Sequence, residues 1–282
     1  MEQNPLVSID KHFIAPLIRQ RDPASHKGDH GHALLLAGNR GRMGAAVIGA
    51  RACLRSGAGL LTVNVPAEER GILQVTVPEA MLMIREEAGD LQKFSAIAAG
   101  PAMGTGQDSF LLLVDLLQNS RKPLLLDADA LTLLSASREL WKQLPAETIL
   151  TPHPGVFDRM FGTHSSAEDR KNKVLQLTQD HPWVIVLKGQ HTQVSYKGKA
   201  YFNTTGNAGL AKAGSGDALS GIILALLAEG YGSLEAALIG VYLHGLAADI
   251  ALASQSVESL MATDLIDCIG KAFEACRPSI NS

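Results

Sequence analysis

The sequence predicts an α/β protein with a mostly parallel central sheet and helices on its faces. Three observations carry that expectation. Short apolar runs alternate with amphipathic stretches along most of the chain, the order that βα units produce. The runs are apolar at successive positions instead of every second one, as strands covered on both faces must be. Gly or Pro flanks them, and polar residues follow several of their carboxyl ends.

A polar lead-in precedes HALLLAG (32–38), read as the first strand, and an amphipathic pattern then gives a helix over roughly 43–57. LLTVNV (60–65) and SAIAAG (95–100) are the next strands, followed by a helix over roughly 107–119. PLLLDA (123–128), TILTPH (148–153) and WVIVLKG (183–189) continue the buried strands. TQVSYKGKAYFN (192–203) reads as an antiparallel hairpin turning at Lys197 and Gly198, and the chain looks helical from about Asp217 to its end. Asn39, Asp127, His153 and Lys188 all follow apolar runs, so they are expected along one sheet edge, where open α/β sheets bind ligands. No repeat, linker or low-complexity tract divides residues 1–282, which are read as a single domain.

At 282 residues a sizeable core is available, and 46% hydrophobic with 19% charged residues is a soluble globular composition. A net charge of −3 without a basic stripe argues against nucleic acid as a partner. Cys53, Cys268 and Cys276 are widely spaced and form no C-x-x-C pair, which disfavours a disulfide framework or structural zinc and fits a reducing compartment. MEQNPLVSIDKHF shows no basic segment followed by an apolar one, and no apolar run is read as long enough to span a bilayer. A cytoplasmic protein with no membrane partner is expected.

AKAGSGDALSGIILALLAEG (211–230) places Gly214, Ser215, Gly216 and Asp217 directly before an apolar helical run. The first N–H groups of a helix lack internal acceptors and sit at the positive end of its dipole, so a glycine-lined helix start is a natural anion cradle. Ser215 is placed to cap the helix, and the field at its mouth is expected to keep Asp217 ionised. The plainer reading makes both residues ordinary caps. No G-x-x-x-x-G-K-[ST] loop is present, and Gly214 and Gly216 miss the G-x-G-x-x-G spacing because Leu219 stands at its last position.

AGSGDALSG (213–221) resembles the anion-hole and catalytic-aspartate signature of ribokinase-like proteins. Residues 26–66, GPAMGTG (100–106), LLLDADAL (124–131), ILTPHPG (149–155), VIVLKGQHT (184–192) and TTGNAG (204–209) together resemble the ADP-dependent NAD(P)H-hydrate dehydratases, in that family's order. The resemblance implies a ribokinase-like three-layer α/β/α sandwich. It implies repair of hydrated NADH or NADPH (NADHX, NADPHX): ADP phosphorylates the added hydroxyl, which then leaves, giving AMP and phosphate. Asp217 would be the base, with the amides of Gly214, Ser215 and Gly216 as anion hole and Mg2+ bridging phosphate oxygens. Lys188, Gly189, Gln190, His191 and Thr192 resemble the AMP-binding segment, to which Gly216 also belongs; a hairpin corner is the plainer reading. Ala45, Gly104, His153 and Asp217 resemble positions contacting the hydrated dinucleotide. A homotetramer is also implied, as is an epimerase activity acting alongside, for which this chain is read as having no room. The chain departs from the family pattern at Ala102 and Met103, Val156 and Ala208.

His26, Asp29, His30 and His32 crowd together in HKGDHGH, but an entry loop explains them more simply than a metal site. Asp127 and Asp129 form a D-x-D pair that either orients magnesium or water or caps the next helix. Arg85, Glu86 and Glu87 read as a solvated stretch, and Val241, Leu243 and Leu246 as core packing. The competing functions are a small-molecule kinase of the same fold, acting on a hydroxyethylthiazole or hydroxymethylpyrimidine, and a nucleotide-binding regulator without turnover. Asp217 counts against the regulator.

Overall fold

Along β2 (His32–Leu36), Ala33 and Leu35 enter one hydrophobic core and Leu34 and Leu36 another. A strand apolar on both faces needs cover on both, and that requirement sets the architecture of the whole chain. The computed structural model of the protein describes residues 7–87 and 89–277.

Before β2 come β1 (Val7–Ile9) and the short α1 (Lys11–Ile14). After it the chain forms α2 (Met43–Arg55), β3 (Leu60–Val65), α3 (Arg70–Thr76), β4 (Met81–Ile84) and β5 (Ala96–Ala99). Then come α4 (Gln107–Asn119), β6 (Leu124–Leu126), α5 (Ala128–Ala136), α6 (Arg138–Trp141), β7 (Ile149–Leu150), α7 (Pro154–Phe161) and α8 (Ala167–Asp180). β8 (Val184–Leu187), β9 (Gln193–Tyr196) and β10 (Lys199–Asn203) complete the sheet, and α9 (Ser215–Ala228), α10 (Ser233–Ala251) and α11 (Ala262–Cys276) follow.

The ten strands run in the order β1-β10-β9-β8-β7-β6-β5-β2-β3-β4. Pairing is parallel from β8 to β4, and only β9 opposes its neighbours. Its hairpin with β10 turns at Lys197 (φ 49°) and Gly198 (φ 69°), the two consecutive left-handed residues that a tight hairpin turn requires. Helices α2, α3, α9, α10 and α11 bury one face of the sheet, and α4, α5, α7 and α8 the other. The result is three layers, α/β/α.

Edge strands β1 and β4 were not among the expected elements. They are three and four residues long and partly exposed, so they leave no sustained apolar run in the sequence. The expected C-terminal helical stretch is three separate helices, the first beginning at Ser215 and not Asp217.

The reading that no run could span a bilayer needs correcting. α10 has 19 residues and is long and apolar enough by length and composition alone, and 72% of its apolar window is buried inside the protein. Its apolar surface packs against α9 and α11, so its composition reflects enclosure on all sides.

Candidate active site

Chain order reverses between β2 and β5: β3 and β4 lie on one side, β6 to β8 on the other. Ligands of open α/β sheets bind at such a switch point, outside the carboxyl ends of the strands. Two loops emerge there. Gly38 N–H donates to Pro101 O (2.8 Å), tying them together. Gly100 has φ 134°, and a Cβ at this residue would stand 1.8 Å from Asp127 O, so only glycine fits. Met103 O accepts from Asn39 Nδ2 (3.1 Å), Ser109 Oγ (2.8 Å) and the Arg85 guanidinium (3.3 Å), and Gly104 N–H donates to Asp129 Oδ2 (2.9 Å). Gly104 is thereby held rigidly at the crevice.

Arg85 is therefore not part of a solvated stretch, although Glu86 and Glu87 are exposed. Its guanidinium also donates to Ala37 O, Gly38 O, Asn64 O and Asn64 Oδ1, at 3.0–3.1 Å, stitching the ends of β2 and β3 to the loop at 101–104. Of the departures from the family pattern, Ala102 takes φ 49°, a conformation glycine adopts more easily, and Met103 and Val156 are buried in the core shared with α4 and α7. Ala208 begins a short 3-10 turn.

At the start of α9 four titratable side chains act on one another: Asp217, Asp127, Lys188 and Asp129. Gly214 (φ 92°) is the N-cap of that helix, where a Cβ would meet Ile48 Cδ1 at 2.7 Å. Ser215 is already the first helical residue and makes no capping bond, contrary to its expected role; its Oγ lies 3.2 Å from His244 Nε2. Asp217 sits in the first turn as expected, but its carboxyl is raised to about 6 instead of being held low. Burial is the main cause and the charge of Asp127 the next; Lys188 opposes them, and Asp129 adds slightly. Desolvation and the Asp127 charge thus outweigh the attraction of Lys188.

Asp127, 2% exposed, anchors the floor beneath this turn. It caps α5 through Ala128 N–H (2.8 Å), accepts from Ser220 Oγ of α9 (2.8 Å) and pairs with Lys188 Nζ (2.8 Å). With three donors on two oxygens, its carboxylate is spent on holding β6, β8 and α9 together, which favours the capping reading of the D-x-D pair over metal binding. A Cβ on Gly216 would lie 3.3 Å from Lys188 Nζ, so the ammonium stands directly over the glycine turn.

Ala45 and His153 lie on elements that border this turn, and residues 189–192 follow Lys188 away from it. Ala45, half-buried, is in the first turn of α2, on the side that brings Ile48 against Gly214 and Gly49 against Asp217 O. His153 caps α7, its Nδ1 accepting from Val156 N–H (3.3 Å), which leaves Nε2 as the protonated nitrogen. Its pKa is lowered by partial burial and by the nearby Lys188 charge, so the ring is neutral near pH 7. Gly189, Gln190 and His191 form the exposed turn between β8 and β9, closed by Thr192 Oγ1 on Gly189 O (3.1 Å); only Lys188 of this segment reaches the glycine turn. A cleft of about 650 Å3 is lined by Asn39, Asn64, Arg85 and Ser109. The raised carboxyl of Asp217 and the Asp127–Lys188 pair lie at α9 and do not line this cleft.

Two residues that the sequence did not single out touch this turn or its floor: Ser220, which ties α9 to Asp127, and His244, which reaches Ser215 O from α10; Asp249 of α10 instead holds Gly206 and Asn207. A lone histidine inside the apolar run LIGVYLHG was the available signal. In the HKGDHGH loop, His26 caps a 3-10 turn, His30 bonds Ser25 and His32 bonds Thr62. Among the described residues no group of three or more His, Cys, Asp or Glu side chains is placed to hold a metal ion.

A bifunctional NAD(P)H-hydrate repair enzyme from Thermofilum pendens is 36% identical over 280 residues, covering 93% of this chain and 53% of that protein. The chain spans about half the length of the bifunctional curated relatives it matches. The ADP-dependent (S)-NAD(P)H-hydrate dehydratase of Bacillus subtilis is 35% identical over 277 residues, covering 94% of this chain and 96% of that one. The crystal structure of the ADP/ATP-dependent NAD(P)H-hydrate dehydratase from Bacillus subtilis, co-crystallized with ATP and Mg2+, superposes with a TM-score of 0.85 at 30% identity, covering 96% of this chain and 99% of that one. The three-layer fold is ribokinase-like. With the family pattern described as NAD(P)H-hydrate dehydratase matching residues 33–271, the chain belongs to the NAD(P)H-hydrate dehydratase family.

Proposed function

We propose that the chain restores NADH and NADPH from the S epimers of their hydrates at the expense of ADP. Hydroxide is a poor leaving group and phosphate a good one, so the added hydroxyl is first phosphorylated. Asp217 takes the hydroxyl proton as the oxygen attacks the terminal phosphoryl group of ADP, and AMP leaves. The amides of Gly214 and Gly216 and the Lys188 ammonium would face the charge on the phosphoryl group in transit, whereas the expected third amide, Ser215 N–H, already donates to Lys212 O (3.4 Å). The ring nitrogen then expels phosphate, and loss of a proton from the adjacent ring carbon restores the double bond. Ala45, Gly104 and His153 position the hydrated ring, and the turn at Gly189 to Thr192 receives the nucleoside side of AMP.

The observation that carries this reading is the Asp217 carboxyl, raised to about 6 among the glycines of a helix mouth. A base near the working pH is what proton abstraction from an alcohol needs, and a mere cap does not. Magnesium would arrive with the nucleotide as a counter-ion to its phosphates, since among the described residues no acidic cluster is placed to hold it and both oxygens of Asp127 already accept hydrogen bonds. The hydrate's R epimer is left to an epimerase activity. The unpaired thiols of Cys53, Cys268 and Cys276 fit a cytoplasmic setting, and exposed Ile72, Val75 and Met81 at the β4 edge offer a surface for a homotetramer.

The test mixes the purified protein with hydrated NADH, magnesium and ADP or ATP and follows the absorbance of reduced nicotinamide. Recovery with ADP supports the dehydratase; phosphorylation of a hydroxyethylthiazole or hydroxymethylpyrimidine without recovery replaces it with the kinase.

A further inference from the structure

The segment joining β10 to α9 carries the glycine turn; Thr204 Oγ1 ties its start to Ile9 O of β1 (2.8 Å), Lys212 bonds Glu258 O, and a run of bonds between them fastens it to α10. Thr205 Oγ1 donates to Tyr242 O (2.8 Å), Gly206 N–H to Asp249 Oδ2 (2.8 Å) and Asn207 Nδ2 to Asp249 Oδ1 (2.9 Å). Gly245 makes room for this approach, since a Cβ there would stand 2.4 Å from Thr205 Oγ1. The last fastening falls inside the site: His244 Nε2 lies 3.0 Å from Ser215 O. A carbonyl oxygen only accepts, so Nε2 carries the proton and donates. His244 is 8% exposed, and burial drives its pKa down to about 4, against the pull of the Ser215 carbonyl and with the help of the Lys188 charge. The ring is neutral near pH 7 and its tautomer is fixed.

Ser215 C=O and Gly216 N–H belong to one peptide plane, and in a trans peptide they point in opposite directions. A donor that fixes the carbonyl also fixes the amide. It polarises that amide as well, because bonds in a chain strengthen one another. Gly216 N–H is among the first N–H groups of α9, which have no acceptor inside the helix, and a Cβ on Gly216 would stand 3.3 Å from Lys188 Nζ, so the ammonium is close to this peptide. We propose that His244 is a positioning residue for phosphoryl transfer, holding the Ser215–Gly216 peptide plane so that Gly216 N–H aims at the phosphoryl group in transit. The inference rests on the reading that the turn at Gly214 to Gly216 is an anion hole. It accounts for a polar ring placed in the apolar body of α10, where packing alone calls for leucine.

The test compares His244→Leu, which fills the space without a donor, with His244→Gln, whose amide nitrogen reaches as far as Nε2. Loss of one indirect hydrogen bond is expected to lower kcat by about tenfold in His244→Leu. The KM for hydrated NADH and the affinity for ADP should stay unchanged, and His244→Gln should recover most of the loss. A role in packing alone predicts the reverse: Leu tolerated, Gln harmful, and no split between kcat and KM. Two readings need no turnover: ring-nitrogen NMR of the full chain at pH 7 should show the neutral Nε2–H tautomer, and His244→Leu should shift the Gly216 amide resonance. An Nδ1–H or protonated ring, an unmoved Gly216 amide, or wild-type kcat in His244→Leu overturns the inference. Failure of the wild-type chain to restore reduced nicotinamide overturns the dehydratase reading instead, and the NMR readings still decide the place of His244.

Discussion

Asp217 shows how burial and charge compete at one carboxyl. Its pKa of about 6 exceeds that of the unfolded chain, so the protonated form is the one the fold prefers. This contribution to stability is present at low pH and is lost as pH rises through about 6. Asp217→Asn should therefore be more stable than the wild type at pH 7.5, by on the order of 2 kcal/mol, with the difference vanishing near the ordinary carboxylate range. Urea unfolding at the two pH values measures it, and an equal difference at both contradicts a buried charge. The same variant should bind ADP but lose about 10²- to 10⁴-fold in turnover, the usual worth of a general base. In the wild type, kcat/KM should climb with pH through an apparent pKa of about 6. Asp127→Asn removes the second-largest cause of the shift and leaves Lys188 closer to unopposed, so this acid limb should move to lower pH.

Between elements, the position of the glycine turn depends on how closely α9 can approach α2. Gly221 and Gly49 face each other at that crossing, and a Cβ on Gly221 would stand 2.2 Å from Gly49 O. Backbone cannot yield as a side-chain end does. Gly221→Ala should cost about 3 kcal/mol in denaturant unfolding, the upper range for an overpacked core. A loss under about 0.5 kcal/mol, the range of ordinary surface substitutions, would show that the helices slide apart freely. Because Ile48 and Gly49 of α2 touch the turn at Gly214 and Asp217, turnover should fall along with stability.

For the molecule as a whole, two cores lie on opposite faces of one continuous sheet, and β2 contributes to both. Neither face can open without exposing strands that the other covers. The chain is expected to unfold in a single transition, with the fluorescence of Trp141 and Trp183, both on the α4–α8 side, coinciding with the far-ultraviolet signal. Separate midpoints would indicate two units. Light scattering should give roughly four times the 29.9 kDa chain mass for the proposed homotetramer, and a mass near that of one chain contradicts it.

The central strands, the hairpin at Lys197 and Gly198, and the glycine turn before Asp217 were legible in the sequence because each rests on a local rule: a continuous apolar run, paired left-handed residues, a helix start without side chains. The strand-end residues Asn39, Asp127, His153 and Lys188 were legible for the same reason. Only the tertiary structure decided what these groups do to one another. Arg85 looked solvated because its acceptors, four backbone carbonyls and Asn64 Oδ1, come from segments 18 to 48 residues away, which have no signature in composition. Ser215 looked like a cap because its partner, His244, is 29 residues distant in another helix. The rise of Asp217 follows from enclosure by Asp127, Lys188 and the core, a property of packing in three dimensions. Sequence set the pieces of backbone, since those depend on neighbours along the chain; solvation and charge at the site depend on neighbours in space.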